Sequence, residues 1–203
     1  MHLVPAAARP GPYERVRLLL DDGRAFVFDD VRKFGRLVYA ADPDRLLSRL
    51  GPEPLEPGFT GPWLHAALHG RRRLLKPLLL DQAFLAGLGN IYVDESLFAA
   101  GLHPLCSSVR VPAAKAEALC AAIRDILGRA VAREGSSFDS FYRTPEGRPG
   151  GFQDEFQVYD RAGEPCRRCG TPIRRIVVGQ RGTHLCPRCQ PRTRRSLPQS
   201  TAR

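Results

Sequence analysis

Two cysteine pairs, Cys166-x2-Cys169 and Cys186-x2-Cys189, stand sixteen residues apart and constrain this chain more tightly than anything else in it. A two-residue gap lets both thiolates of a pair face one ion, and tetrahedral zinc takes four such soft ligands. A closed set of four thiolates leaves no open coordination position. The site is therefore expected to hold one structural Zn2+ and to carry out no chemistry itself. Between the pairs, Ile173 to Val178 reads as a strand, Gly179-Gln180-Arg181-Gly182 as a turn, and Thr183 to Leu185 as the returning strand, with Arg181 at the ribbon tip. Cys106 and Cys120 have no partner spacing and read as small apolar residues. Close pairs of this kind indicate a reducing compartment and a metal rather than disulfides.

The charge is concentrated around the same segment. The net charge is +10, and Arg161 to Arg203 holds eleven arginines against one acid, Glu164, while the preceding residues balance. A basic excess confined to one end suits a polyanion, because neutralising phosphates releases counterions. Arg192, Arg194 and Arg195 lie in a Pro/Ser/Thr-rich stretch and read as a disordered basic tail. Arg167, Arg174, Arg181 and Arg188 are interleaved with the cysteines, where a merely solvated face is the weaker explanation. No stretch is apolar for long enough to span a membrane, and Met1 to Pro10 does not read as an export signal. The expected address is cytoplasmic.

Along the chain, residues 13–40 read as strands. Val16, Leu18 and Leu20 alternate, Asp22-Gly23 makes a hairpin turn, Ala25 to Asp29 runs back, and Arg36 to Tyr39 forms a further strand. So small a sheet is marginal alone, which suggests part of a larger one. Leu50-Gly-Pro-Glu-Pro-Leu55 and Pro57-Gly58 are turn chemistry and read as a domain boundary. Helices are expected from Pro62, over Arg72–Leu80, over Asn90–Ala100 closed by Gly101, and over Pro112–Val131 with an apolar stripe of Leu119, Ile123, Ile126, Leu127 and Ala130. Gly150-Gly151 reads as a hinge.

One run, Lys76-Pro-Leu-Leu-Leu-Asp81-Gln82 through Gly87-Leu-Gly89-Asn90 to Asp94-Glu95, is too particular for generic core. Its glycines let backbone approach a ligand, and Asn90 stands at a helix N-terminus whose amides suit an anion. On composition alone an ordinary helical corner would serve equally. The run resembles the helix–two-turn–helix motif of the formamidopyrimidine-DNA glycosylase and endonuclease VIII family. The zinc hairpin, its entry Val158-Tyr159 to Cys166, Leu50–Leu55 and Asp30-Val-Arg32-Lys33-Phe34-Gly35 match in order, and the motif wording favours the formamidopyrimidine branch.

The resemblance implies roles. Lys76 and Asn90 would hold phosphates flanking a damaged nucleotide. Arg32 would face the orphaned base and Phe34 would wedge the stack when that nucleotide is flipped out, a hole that costs a few kcal/mol unless filled. Arg181 would bind phosphate and assist the second strand-cleaving elimination, Arg71 joins the DNA-binding set, and the loop near Tyr142 to Gly151 would cover the flipped purine. In that family an amino-terminal proline is the nucleophile and a glutamate follows it. This chain opens Met1-His2-Leu3, Pro5 is internal, and Tyr13 stands near the family's histidine position. The expectation is a chain that lacks the catalytic start and is inactive as it stands.

The expected fold is α+β. It comprises a remnant of an N-terminal β-sandwich over residues 1–58, a helix–two-turn–helix domain over 59–150, a four-cysteine zinc β-hairpin over 151–190, and a disordered basic tail over 191–203. The expected partner is double-stranded DNA with oxidised bases or abasic sites, bound by a monomer without a membrane. Whether the chain is enzymatic stays open between a bifunctional glycosylase and abasic-site lyase of base excision repair and a non-catalytic lesion-binding protein. A zinc-ribbon protein of RNA or the ribosome ranks third, since it gives Arg32, Phe34, Lys76 and Asn90 no task. His65 and His69, spaced i,i+4, read as surface residues. Asp94 and Glu95 point about 100° apart on a helix and do not form an acid–base pair. Asp139, Asp154 and Glu155 are assigned nothing.

Overall fold

The computed structural model describes residues 1–137 and 144–192. In chain order the elements are β1 (His2–Pro5), β2 (Glu14–Leu19), β3 (Arg24–Asp29), α1 (Pro43–Leu47), α2 (Gly61–His69), α3 (Leu75–Leu79), α4 (Asn90–Ala100), α5 (Ala113–Ala132), β4 (Arg174–Val178) and β5 (Arg181–Leu185). They fall into two compact units: Met1–Pro43 with Ala130–Asp154, and Asp44–Arg129 with the residues from Glu155 onward.

In the first unit a three-stranded antiparallel sheet has the order β1-β3-β2. Leu3 pairs with Phe26, Arg17 pairs with Val27, and a register shift interrupts β2 between Glu14 and Val16. The Asp22-Gly23 turn forms as expected, with Gly23 at φ +79° and the Asp22 carboxylate accepting from Arg24 N at 3.0 Å. Alternation buries Ala25 and Val27 of β3, the central strand. Two sequence readings need correction. β1 was not foreseen, and Arg36–Tyr39 does not form the expected strand. Among the described residues no strand pairs with this segment, and Leu37, Val38 and Tyr39 are exposed.

Gly150-Gly151 also departs from its reading as a hinge. A Cβ on Gly150 would lie 2.5–2.6 Å from the carbonyl oxygens of Gly135 and Glu134. Gly150 N donates to Ser137 Oγ at 2.9 Å, and Gly151 N donates to Arg133 O at 2.9 Å. The glycine is there because two backbones cross in contact.

The second unit is built on leucines. Leu64 and Leu68 of α2, Leu75, Leu78 and Leu79 of α3, Phe84, Leu85 and Leu88, Val93 and Leu97 of α4, and Leu119 and Ile123 of α5 form one core. Thr60 caps α2 by accepting from Trp63 N at 3.3 Å, and a proline sits in the first turn. α3 begins three residues later than expected, because Leu74 is extended and bridges Ser107. Pro77 then falls in the first turn, where its missing N–H costs nothing. α4 ends at Gly101 in the left-handed conformation, φ 65°, as its sequence indicated. The turn-rich segment 50–59 is tied down: Gly51 N donates to Gln82 O at 2.8 Å, and the Arg124 guanidinium donates to the carbonyls of Pro54, Glu56 and Phe59.

β4 and β5 pair from Arg174–Leu185 to Val178–Arg181. The loop is therefore the two residues Gly179-Gln180, at φ 56° and 62°, the signature of a type I′ hairpin turn. Arg181 is not the tip, as its sequence context implied, but the first residue of β5 and exposed. The part of the expected covering loop at 138–143 and the tail from residue 193 lie outside the described residues. Among the described residues no helix is long and apolar enough to cross a membrane.

Candidate nucleic-acid interface and metal centre

The four cysteines converge. Their sulfurs all lie within 4.8 Å of one another, with Cys166–Cys189 at 3.9 Å and Cys169–Cys186 at 3.5 Å. Four sulfurs at a Zn–S distance of about 2.3 Å on a tetrahedron are separated by about 3.8 Å, so the spacing fits one zinc ion. Backbone amides support the knuckles, with Arg168 N donating to Cys166 Sγ and Cys189 N to Cys186 Sγ, each at 3.4 Å. Burial, reinforced by neighbouring sulfurs, pushes the Cys189 thiol up to about 12, while a Thr171 hydrogen bond brings Cys169 down to about 6. Thiols so far apart do not all ionise near neutrality unless a cation holds them. The cluster packs on Phe98 of α4 with Val158 and Ile173, and Arg168 stacks 4.5 Å above the Phe98 ring. Gln190 bridges Cys186 N at 2.9 Å and Leu102 O at 2.8 Å.

α4 is buried on several sides, and its two adjacent acids serve different neighbours. The Glu95 carboxylate accepts from the backbone amides of Gln157, Val158 and Tyr159 at 2.8–3.1 Å, anchoring the strap that leads into the zinc hairpin. Burial raises its pKa, against the pull of those amides. Asp94 instead faces Lys76 Nζ at 2.7 Å through Oδ1 and accepts from His184 N at 2.8 Å through Oδ2. The two carboxylates diverge, as expected for adjacent helical positions.

Lys76 is fully buried. Its ammonium donates to Asp94 and, at 3.0 Å, to Gly182 O, and burial lowers its pKa while the Asp94 carboxylate opposes that. In this arrangement the side chain expected to reach a phosphate is spent inside the protein. Asn90 Nδ2 donates to the same Gly182 carbonyl at 3.1 Å. Lys76, Asn90 and the residue beside Arg181 are thus brought together at the start of α4. Its N-cap, Gly89, offers the first-turn amides no side chain. Arg71 is exposed, its guanidinium 5.2 Å from the Phe84 ring centre. It precedes Arg72 and an Arg73 paired with Asp81 at 2.6 Å.

Arg32 and Phe34 belong to the first unit. Asp30 accepts from the amides of Arg32, Lys33 and Gly35 at 3.1, 2.9 and 2.6 Å, folding the segment into a tight loop that turns through Lys33 at φ 56°. Those amide bonds, Gly35 first, hold the Asp30 carboxyl below its ordinary range. Phe34 is 79% exposed and Arg32 stands 5.6 Å over its ring. The His65 and His69 rings lie 4.3 Å apart on α2, tilted by 49°, and His69 Nε2 lies 3.0 Å from Val111 O. Sequence reasoning missed Asp94 and Glu95 as structural anchors, and it missed His184. Nothing local marks them, since their partners are far away in the chain.

Comparison with known proteins agrees with this geometry. Residues 50–141 match the formamidopyrimidine-DNA glycosylase H2TH domain and residues 163–192 a zinc finger found in FPG and IleRS. Formamidopyrimidine-DNA glycosylase of Symbiobacterium thermophilum is 49% identical over 92% of this chain, and that of Xanthomonas oryzae 42% over 94%. The chain spans 62% and 70% of those two relatives. The crystal structure of MutM (Fpg) from Thermus thermophilus superposes with a TM-score of 0.82 at 45% identity, covering 90% of this chain and 70% of that one. A Lactococcus lactis FPG mutant in complex with Fapy-dG-containing DNA superposes at 0.85 with 36% identity, covering 94% and 71%. Over the part that it spans, this chain belongs to the formamidopyrimidine-DNA glycosylase family.

Proposed function

We propose that this chain binds duplex DNA at an oxidised base or abasic site, as the recognition part of a DNA glycosylase of base excision repair. The observation that carries this reading is that Asn90, at the start of α4, donates to the carbonyl of Gly182, the residue after Arg181, on a hairpin pinned by four cysteines. A phosphate there would meet a guanidinium and helix amides together. A Lactococcus lactis Fpg has been solved in complex with DNA containing an abasic site, and the likeness to it supports the same ligand for this chain. The exposed Arg32 and Phe34 supply the pair that would fill the space of a flipped nucleotide.

These 203 residues are expected to bind lesions as a monomer. The test is fluorescence anisotropy with a duplex carrying a tetrahydrofuran abasic analogue against its undamaged twin, over a range of salt. Preference for the lesion, with affinity falling as salt rises, supports the function; indifference to both removes it. Borohydride trapping with an 8-oxoguanine duplex separates the two classes: a covalent adduct makes the chain a glycosylase and lyase, and its absence makes it a lesion-binding protein.

A further inference from the structure

α3, α4 and β5 meet at one polar node. Lys76 Nζ and Asn90 Nδ2 both donate to Gly182 O, at 3.0 and 3.1 Å. Two residues on, His184 N donates to Asp94 Oδ2 at 2.8 Å. β5 is therefore fastened to α4 at two successive points on one strand edge. The hairpin turn is seated as well: a Cβ on Gly179 would lie 3.2 Å from Pro77 Cγ. A Cβ on Gly182 would meet the Arg175 guanidinium at the same distance, so the strand lies between α4 and that side chain. Arg181 stands between turn and node, its backbone paired with Val178 and its carbonyl accepting from Thr183 Oγ1 at 3.0 Å.

A fully buried ammonium held by a carboxylate and a carbonyl does not reach out to a phosphate. Doing so would strand Asp94 as an unpaired buried charge. We infer that Lys76 and Asp94 are positioning residues. Their buried pair clamps Gly182 and His184 and so fixes the strand that carries Arg181, and Arg181, not Lys76, meets the phosphate. This rests on the DNA-binding reading above. It deepens that reading by assigning the electrostatic contact to one arginine and making its placement depend on a pair that never touches DNA. The Arg181 charge acts on Lys76 across this short span, opposing the ammonium that Asp94 holds.

The test uses the full zinc-loaded chain, the tetrahydrofuran duplex, and the variants Lys76→Met, Arg181→Ala and their combination. Each single change should weaken binding on the order of tenfold, the worth of one charge-assisted contact. The combination should weaken it no further than Arg181→Ala alone. In all three, the slope of log affinity against log salt should fall by about 0.9, one phosphate's share. Additive losses with the slope falling twice would make Lys76 a phosphate ligand and overturn the inference, as would a Lys76→Met chain that binds like wild type. If Lys76→Met loses its zinc, the double change Lys76→Met with Asp94→Leu removes both charges together and carries the same expectation. A wild-type chain that fails to bind removes the function and this inference together; one that binds with additive losses removes the inference alone.

Discussion

The Lys76 ammonium lies 2.7 Å from the Asp94 carboxylate, and neither side chain reaches solvent. A pair buried this deeply is worth little against an apolar replacement of the same shape, but breaking it leaves a bare charge in the interior. Asp94→Leu or Lys76→Met alone should each lower stability by about 3–5 kcal/mol, and the two together by markedly less. Urea unfolding monitored by far-UV circular dichroism reads this directly. Equal or additive losses across the three variants would mean that the pair does not behave as a coupled unit.

Much of the second unit was legible because its signals are local. Gly101 closes α4, Pro62 opens α2, and the apolar stripe of α5 falls where a period of 3.6 places it. The cysteine spacing alone located the metal centre. What escaped depends on distant partners. Lys76 looked like a free cation because Asp94, Gly182 and His184, which enclose it, lie 18 to 108 positions further along the chain. Arg36 to Tyr39 has strand-like composition, yet strand formation requires a neighbour, and among the described strands none pairs with it. The same reasoning explains β1, whose four residues carry little pattern of their own and are strands because β3 pairs with them.

Gly51 is the glycine of the Leu50–Leu55 turn segment, and its Cα approaches a neighbouring backbone. A Cβ there would stand 2.5–2.8 Å from the main-chain atoms of Phe84 and Leu85, which cannot move aside as a side chain end can. Gly51→Ala should therefore cost about 1–3 kcal/mol by overpacking. Gly58→Ala, where nothing lies within 4 Å, should cost far less. Thermal melts of the two variants make the comparison, and equal shifts would show that backbone contact is not the reason for glycine at position 51.

The zinc centre makes its own prediction. Metal analysis should give one zinc per chain, and a strong chelator should unfold β4 and β5 while leaving the leucine core of α2 to α5 helical. Binding and folding are coupled at such a site, with apparent energies on the order of 10–16 kcal/mol near neutral pH. Protons compete with zinc for the thiolates, so affinity should fall as pH falls. Burial pushes the Cys186 thiol up as well as that of Cys189, so these two should reprotonate first. Zinc release followed with a chromogenic indicator from pH 8 downward gives the profile; loss that increases toward high pH would contradict it.

Asp30 organises the loop that presents Arg32 and Phe34, and its effect has a defined pH window. Its carboxyl is held below the ordinary aspartate value near 3.9 by the amides of Gly35, Lys33 and Arg32. A depressed carboxylate contributes its full share above the unfolded pKa and loses it as pH falls through the folded one. The loop should therefore stay ordered down to about pH 4 and loosen below it. The Gly35 amide, which donates to Asp30 Oδ2 at 2.6 Å, should show this as an NMR shift with a midpoint under that of a free aspartate. Asp30→Asn leaves an acceptor for one side of the turn and puts an NH2 group where the other amides donate. That variant should weaken binding to the abasic duplex more than to the undamaged one, because it disturbs Arg32 and Phe34 and leaves Arg181 in place. Equal weakening on both duplexes would separate the Asp30 loop from lesion recognition.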